Sequence, residues 1–159
     1  PHIYGEYKAN NAQEVSEMWE QVKLKEKGGN KTVLAGIPES LPALVKAYRI
    51  QDKVANVGFD WEKREDVWAK VKEEIAEFEV EVDHMDEGKA TEEMGDLIFA
   101  LVNAARLYNI RPDNALEKNN AKFIKRFNYI EQKAKEKGQS LNDMTLDEME
   151  ALWQEAKKA

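Results

Sequence analysis

The sequence contains no cysteine and only four prolines, eight glycines and two histidines in 159 residues. Without cysteine, disulfide bonds and thiolate metal sites are excluded. His2 and His84 lie far apart in the chain, so a histidine-based metal site is not indicated. The sequence also has no long hydrophobic run and no signal-peptide pattern. We therefore expect no membrane partner, and the cytoplasm is the simplest compartment.

Several sequence motifs of common enzymes are absent as well. There is no glycine-rich phosphate loop and no nucleophile elbow. Serine is scarce, so chemistry based on a catalytic triad is not indicated. The net charge of −7 argues against binding a nucleic-acid polymer through the whole surface, so any phosphate site must be a local basic cluster. The composition, 35% charged and 42% hydrophobic, is typical of a folded globular protein of this length.

Helix signals dominate what the sequence does contain, and no convincing strand pattern occurs. Residues 68–108 form two amphipathic segments separated by a short turn. The apolar stripe of the first segment comprises Trp68, Val71, Ile75, Phe78 and Val82. The second segment, with Thr91 as its predicted N-cap, is apolar nearly all round from residue 97 to 105, which predicts the most buried helix. These patterns predict an all-α fold, a helical bundle.

Further helices are predicted on both sides of this stretch. One covers residues 11–27, and another follows Ser40, a plausible N-cap, to about residue 56. A long helix is expected from Pro112 to residue 137, where Gly138 ends it. Thr145 and Glu148 have the spacing of a capping box and open a last short helix. Phe59 and Trp61, in the turn before the first acidic helix, are expected to be buried.

Two pairs of acids flank the apolar stripes of the two central helices. Glu74 and Glu77 lie one helical turn apart, as do Glu93 and Asp96. If the helices pack antiparallel, four carboxylates converge, and they would repel one another unless a cation lay among them. Oxygen ligands suit hard cations such as Mg²⁺ or Mn²⁺. The alternative, that these are ordinary solvated glutamates on helix surfaces, is not excluded by the spacing.

Basic and aromatic residues provide candidates for a phosphate or nucleobase site. Lys122 and Arg126 share one face of a helix, and Lys89 lies just before the second acid pair. These side chains could neutralise phosphate charge beside a cation, or be ordinary solvated residues. The tryptophans at 61, 68 and 153 are most simply packing residues, with base stacking as an alternative.

The acidic pattern resembles that of a known family. Residues 73–77 read EEIAE and residues 93–96 read EMGD, which is similar to the EExxE…ExxD motif of MazG nucleoside triphosphate pyrophosphohydrolases. The runs 40–44, 55–61, 93–103 and 120–127 extend the likeness to the second MazG domain of a tandem-domain bacterial protein. The resemblance implies an all-α fold completed by dimerisation. It also implies that residues 1–38 form an N-terminal segment and linker after a missing first domain, and residues 39–159 the catalytic domain.

The resemblance further implies a reaction, in which a nucleoside triphosphate and water give the monophosphate and pyrophosphate by attack at the α-phosphorus. The implied metal ligands are Glu74, Glu77, Glu93 and Asp96, for Mg²⁺ or alternatively Mn²⁺. The catalytic carboxylate acting on water is Glu73 or Glu74, and the implied nucleotide contacts are Lys89, Lys122, Arg126 and Trp153. The alternatives are a non-catalytic module that binds nucleotide or protein, and a related enzyme acting on dUTP or phosphoribosyl-ATP.

Overall fold

The computed structural model of the chain describes Glu14, Val15, residues 17–19 and residues 32–159. Residues 14, 15 and 17–19 are helical, as predicted, and the rest of the helix expected over 11–27 lies outside the described residues, as do residues 1–5. Within residues 32–159 the α-helices are α1 (Ala43–Ala55), α2 (Val67–Glu81), α3 (Glu87–Leu107), α4 (Pro112–Glu136) and α5 (Leu146–Lys158). Short 3₁₀ turns occur at Arg64–Asp66 and Leu141–Asp143. These residues contain no strand, so the all-α prediction is confirmed for them.

The chain divides into two compact units, one ending at Pro112 and one beginning at Asp113. In the first unit, α2 packs on α3 through a buried cluster whose members are Val67, Val71, Ala100 and Ala104. Leu107 and Tyr108 pack against this cluster. Helix α1 is tied to α3 because the buried Gln51 donates an Nε2 hydrogen bond of 2.9 Å to the carbonyl oxygen of Phe99. The first unit is thus built on the hairpin of α2 and α3, to which α1 is attached.

Two predicted helix starts are wrong. Helix α3 begins at Glu87, because Asp86 is its N-cap and accepts a 2.7 Å hydrogen bond from the backbone N–H of Lys89. Thr91 lies in the second turn, where its hydroxyl donates to the carbonyl oxygen of Glu87. Helix α1 begins after Pro42 without a side-chain cap, so Ser40 does not serve as the N-cap. Helix α3 starts earlier than predicted because Asp86 accepts from its first turn. Helix α1 starts later because Pro42, with its fixed φ, stands at the start of the helix.

The predicted burial was wrong at several apolar positions. Phe59 is 75% exposed, and Trp61 is also exposed. Helix α3 is not buried all round, since Met94, Ile98 and Leu101 are exposed. On α2 the buried side chains are Val67, Val71 and Glu74, whereas Trp68 and Ile75 of the predicted stripe are exposed. The hydrophobic pattern identified helices correctly, but within residues 32–159 part of their apolar surface stays exposed.

The second unit packs α5 and the end of α4 around its own small core, whose members are Ile130, Ala134, Met144 and Leu152. Gly138 has a positive φ of 67°, which suits a glycine after a helix, and α4 ends just before it, as predicted. The capping box of Thr145 and Glu148 is confirmed. None of the helices in residues 32–159 is both long and apolar enough to cross a membrane.

Candidate metal and nucleotide site

Three of the four predicted metal ligands come together between α2 and α3. Glu74, Glu77 and Glu93 each offer a carboxylate oxygen, and these oxygens all lie within 4.8 Å of one another. Glu74 is only 7% exposed, whereas Glu93 is partly buried and Glu77 exposed. Helix α2 contributes two of them from successive turns and α3 contributes the third. Carboxylates this close repel one another unless a cation or a proton is bound, so the donor set fits a hard divalent cation.

Asp96 lies near this trio without belonging to the close group. It lines the same cleft as Glu74, and its charge contributes to the electrostatics of Glu93. Desolvation is the main cause that raises the pKa of Glu93 above its ordinary value, and the charge of Asp96 raises the pKa further. The charge of Glu74 acts in the same direction. Glu93 therefore keeps its proton to a higher pH than an isolated glutamate would.

Lys70 is a positively charged residue in contact with the cluster. Its Nζ lies 3.0 Å from Oε1 of Glu74 and 3.8 Å from Oε2 of Glu73. The hydrogen bond to Glu74 raises the pKa of Lys70, and the charge of Glu73 adds to this. Glu73 has a side chain that is 56% exposed, and it is not one of the three residues whose oxygens converge. The two candidate catalytic carboxylates thus have different environments on the same turn of α2.

A cleft of about 780 Å³ extends from Glu74 and Asp96 along the first unit. Its walls are mostly apolar and come from α1, the loop around residues 59–61, α2 and α3. The exposed side chains of Phe59 and Trp61 are among the residues that line it. A volume of this order is typical of a pocket for a small organic ligand.

An ion pair connects the loop of residues 59–61 to α3. Arg106 donates two hydrogen bonds to Asp60, at 2.5 Å to Oδ1 and 3.3 Å to Oδ2, and its Nε donates to Oδ1 of Asn103 at 3.0 Å. The backbone N–H of Trp61 donates to Oδ1 of the same aspartate at 2.8 Å. The guanidinium is largely buried. Paired, bidentate geometry of this kind fixes orientation, so the loop is held against the cleft.

The remaining predicted nucleotide contacts lie in different places. Lys89 is exposed in the first turn of α3, one helical turn before Glu93. In the second unit, the guanidinium of Arg126 lies 5.5 Å from the ring centre of Trp153, and Phe123 lies 5.1 Å from the same ring. Lys122 is exposed one turn before Arg126. The second unit therefore groups Arg126 and Trp153 through side-chain contact, with Lys122 beside them on the same helix.

Sequence reasoning missed Lys70, Arg106 and Asp60. The first could have been found, because Lys70 stands four residues before Glu74 on a predicted helix and such pairs meet on one face. The pairing of Arg106 with Asp60 spans 46 positions, and no local pattern reports it. Sequence periodicity is silent on contacts of this kind, since they depend on how the loop returns to α3.

In this all-α unit two adjoining helices bring three glutamates together, and Glu74 of the three also lines the cleft, which is the arrangement of a helical protein with an acidic ligand site. Residues 62–130, which include all of this acidic cluster, match the family model of the MazG nucleotide pyrophosphohydrolase domain. Residues 62–130 of the chain are therefore similar to a MazG domain.

Three relatives align with 99% of this chain. The nucleoside triphosphate pyrophosphohydrolase of Escherichia coli is 41% identical over 162 residues. The nucleoside triphosphate pyrophosphohydrolase/pyrophosphatase MazG of Thermotoga maritima is 35% identical over 158 residues. The uncharacterized protein YabN of Bacillus subtilis is 46% identical over 162 residues. The chain spans 62%, 59% and 33% of the lengths of these proteins, respectively.

Proposed function

We propose that this chain hydrolyses a nucleoside triphosphate to the monophosphate and pyrophosphate. The observation that carries the proposal is the trio of glutamate oxygens within 4.8 Å, with the buried Glu74 at the edge of a nucleotide-sized cleft. The family and the names of the E. coli and T. maritima relatives support the reaction class.

The acidic residues would hold a divalent cation, Mg²⁺ or alternatively Mn²⁺. Glu74, Glu77 and Glu93 are the proposed ligands, with Asp96 beside them as the fourth. Such a cation supplies charge neutralisation and Lewis acidity to a bound polyphosphate. Without it the same carboxylates would repel the substrate, so we expect catalysis to depend on a divalent ion.

The chain's own residues would bind and orient the substrate and the water. Glu73 or Glu74 is the proposed group that orients the attacking water and accepts its proton. Lys89, Lys122 and Arg126 are proposed to balance phosphate charge, and Trp153 to contact the nucleotide. Attack at the α-phosphorus is proposed from the family, and the apolar walls of the cleft suit a nucleobase.

The proposal is tested by pyrophosphate release in the presence of Mg²⁺. Glu74→Gln should lower kcat/KM at least about 100-fold, because it removes a charged ligand at the reacting centre. Glu79→Gln, on the same helix but outside the cluster, should retain activity within about twofold. Parental turnover by Glu74→Gln would defeat the assignment. No release by the parent chain with any nucleotide, alongside measurable nucleotide binding, would favour a non-catalytic module.

Isotope labelling distinguishes the site of attack. In water enriched in ¹⁸O, attack at the α-phosphorus places the label in the nucleoside monophosphate, whereas attack at the β-phosphorus places it in pyrophosphate. Mass spectrometry of both products decides between them. A panel containing the common ribonucleotides, the deoxyribonucleotides, dUTP and phosphoribosyl-ATP then separates a general enzyme from a specialised one.

Comparison of two variants separates the roles of the adjacent glutamates. If Glu73 accepts the proton, Glu73→Gln should lose turnover while its affinity for Mn²⁺ stays close to that of the parent chain. If Glu74 does both tasks, only Glu74→Gln should lose activity, and it should lose Mn²⁺ affinity as well.

We also propose that the chain forms a homodimer. The supporting observation is the exposed apolar row on α3 formed by Met94, Ile98 and Leu101, which share one helix face. Exposed apolar surface of this kind in a folded protein marks an interaction site. The resemblance to the family gives a second copy of the chain as its partner.

A further inference from the structure

Lys70 is the positive charge that neutralises the most buried carboxylate of the acidic cluster. Its Nζ lies 3.0 Å from Oε1 of Glu74, a side chain that is nearly inaccessible to solvent. We propose that Lys70 is an internal counter-ion that competes with the divalent cation for Glu74 and couples cation binding to nucleotide binding. The inference rests on the proposed function and concerns how the same site is regulated.

Competition follows from the position of the ammonium group. Glu74 is also one of the three residues whose oxygens converge within 4.8 Å, so the group that Lys70 contacts is a proposed ligand of the cation. An ammonium and a divalent cation on one carboxylate repel each other, and the repulsion is strong because Glu74 is shielded from water. Binding of the divalent ion therefore requires Lys70 to withdraw or to lose part of its interaction.

The side chain of Lys70 can move from Glu74 towards the cleft. Its side chain is 44% exposed, and lysine has a flexible stem with four carbons. It lines the cleft together with Glu74 and Asp96. The other acid near it, Glu73, is 3.8 Å away and exposed, so the ion pair between them is weak. An anion in the cleft, such as a polyphosphate, offers the ammonium a new partner once the divalent ion has taken Glu74.

This arrangement makes the two ligands cooperative. Without nucleotide, Lys70 stays on Glu74 and weakens cation binding. With a polyphosphate in the cleft, the ammonium is drawn away and the cation binds more tightly. By linkage, the cation must strengthen nucleotide binding by the same factor. In the free protein, Lys70 thus neutralises the buried Glu74. When substrate binds, the divalent cation replaces Lys70 at this carboxylate.

Binding of Mn²⁺ to the full chain, measured by calorimetry and by electron paramagnetic resonance, tests the inference without turnover. Lys70→Met should bind Mn²⁺ about tenfold more tightly than the parent chain in the absence of nucleotide, the order expected when a unit charge is removed close to a divalent ion. Lys72→Met is the matched control. It removes the same charge from the same helix, but lies about 200° around the helix from Lys70, and should change the affinity less than twofold.

The second measurement adds a nucleotide analogue with a methylene bridge between the α- and β-phosphates. The analogue should strengthen Mn²⁺ binding to the parent chain and to Lys72→Met, and strengthen it several-fold less in Lys70→Met. If Lys70→Met leaves Glu74 too poorly compensated to fold, Lys70→Gln keeps a polar group and should show the same tighter binding. Lys70→Arg retains the charge and should bind Mn²⁺ as weakly as the parent chain.

Equal Mn²⁺ affinities in Lys70→Met and Lys72→Met would overturn the inference, and so would an unchanged effect of the analogue in Lys70→Met. With the parent chain still releasing pyrophosphate, the proposed function would stand while this inference failed. If the parent chain neither binds Mn²⁺ nor hydrolyses nucleotides, the proposed function fails and this inference with it.

Discussion

Glu74 and Glu93 show how two carboxylates of one cluster can be held in different ways. Glu74 is buried and has the ammonium of Lys70 at 3.0 Å. Glu93 is partly buried, and desolvation together with the charges of Asp96 and Glu74 raises its pKa above the ordinary value of 4.5. A raised pKa for an acid in the folded state means that its contribution to stability is present below pH 4.5 and is lost as the pH rises through the raised pKa.

Glu93→Gln should therefore stabilise the chain against heat when divalent ions are removed with a chelator. The rise in Tm should be a few degrees at neutral pH, because the variant removes a charge that repels its neighbours. Below pH 4.5, where protonation removes the charge of the parent residue, the difference should shrink. Thermal unfolding followed by circular dichroism at both pH values measures it.

Glu92→Gln is the control for this prediction, because it removes the neighbouring charge on the same helix. It should change Tm by less than Glu93→Gln at neutral pH. Excess Mg²⁺ should raise the Tm of the parent chain more than that of Glu93→Gln. A lower Tm for Glu93→Gln in chelator would contradict the electrostatic account.

At the scale of single elements, a helix begins where a side chain can accept from its free N–H groups. Thr91 and Thr145 are the same residue type, each followed by acids, yet only Thr145 is an N-cap. Its hydroxyl accepts from the N–H of Glu148 at 3.1 Å. The hydrogen bond from Gln139, and then those involving Thr145, lower the pKa of Glu148. Asp86 takes the corresponding place on α3.

Substitution of the two threonines should consequently have different effects on stability. Thr145→Ala should lower the free energy of unfolding by about 1 kcal/mol through loss of the cap. Thr91→Ala should be neutral or slightly stabilising, because alanine favours the helix interior and the lost bond to Glu87 is not a cap. Urea unfolding of the full chain at pH 7 measures both changes.

Acidification provides a check on the capping box. Because the pKa of Glu148 is lowered, its contribution is present above pH 4.5 and is lost as the pH falls through the lowered pKa. The difference between the parent chain and Thr145→Ala should therefore diminish in acid. A destabilisation by Thr91→Ala as large as that by Thr145→Ala would refute the assignment of Asp86 as the cap.

At the scale of the whole molecule, the apolar surface exceeds what one chain covers in the described residues. The buried face of α3 includes Ala100 and Ala104, which pack on α2. The row of Met94, Ile98 and Leu101 lies on another face and is exposed. Such a row suits a helix–helix contact with a second copy, as proposed above.

Ile98→Glu should therefore convert the dimer to a monomer, because it places a charge at the centre of the row. Ile98→Met keeps the apolar character at the same position and should remain dimeric. Sedimentation velocity at micromolar concentration distinguishes the two states. If the parent chain is monomeric, or if Ile98→Glu sediments like the parent dimer, this row is not the interface.

Much of the fold was predictable from the sequence because helices are local. The period of apolar residues identified α2 and α3, Gly138 marked the end of α4, and the spacing of Thr145 and Glu148 marked the start of α5. The acid spacing predicted that four carboxylates converge if the helices pack antiparallel, and three of them, Glu74, Glu77 and Glu93, do so. The placement of Asp96 close to the trio without joining it depends on side-chain conformation, which spacing does not report.

The sequence by itself determined the helices, the acid pairs and the likeness to the MazG domain, since each depends on residues within a few turns of one another or on a short motif. Only the tertiary structure decided which faces are covered and which charges meet. Burial of Glu74, exposure of Phe59 and the pairing of Arg106 with Asp60 depend on how separate elements approach in space. Hydrophobic periodicity states that a face is apolar, but the neighbour that covers it is set by packing of the whole molecule.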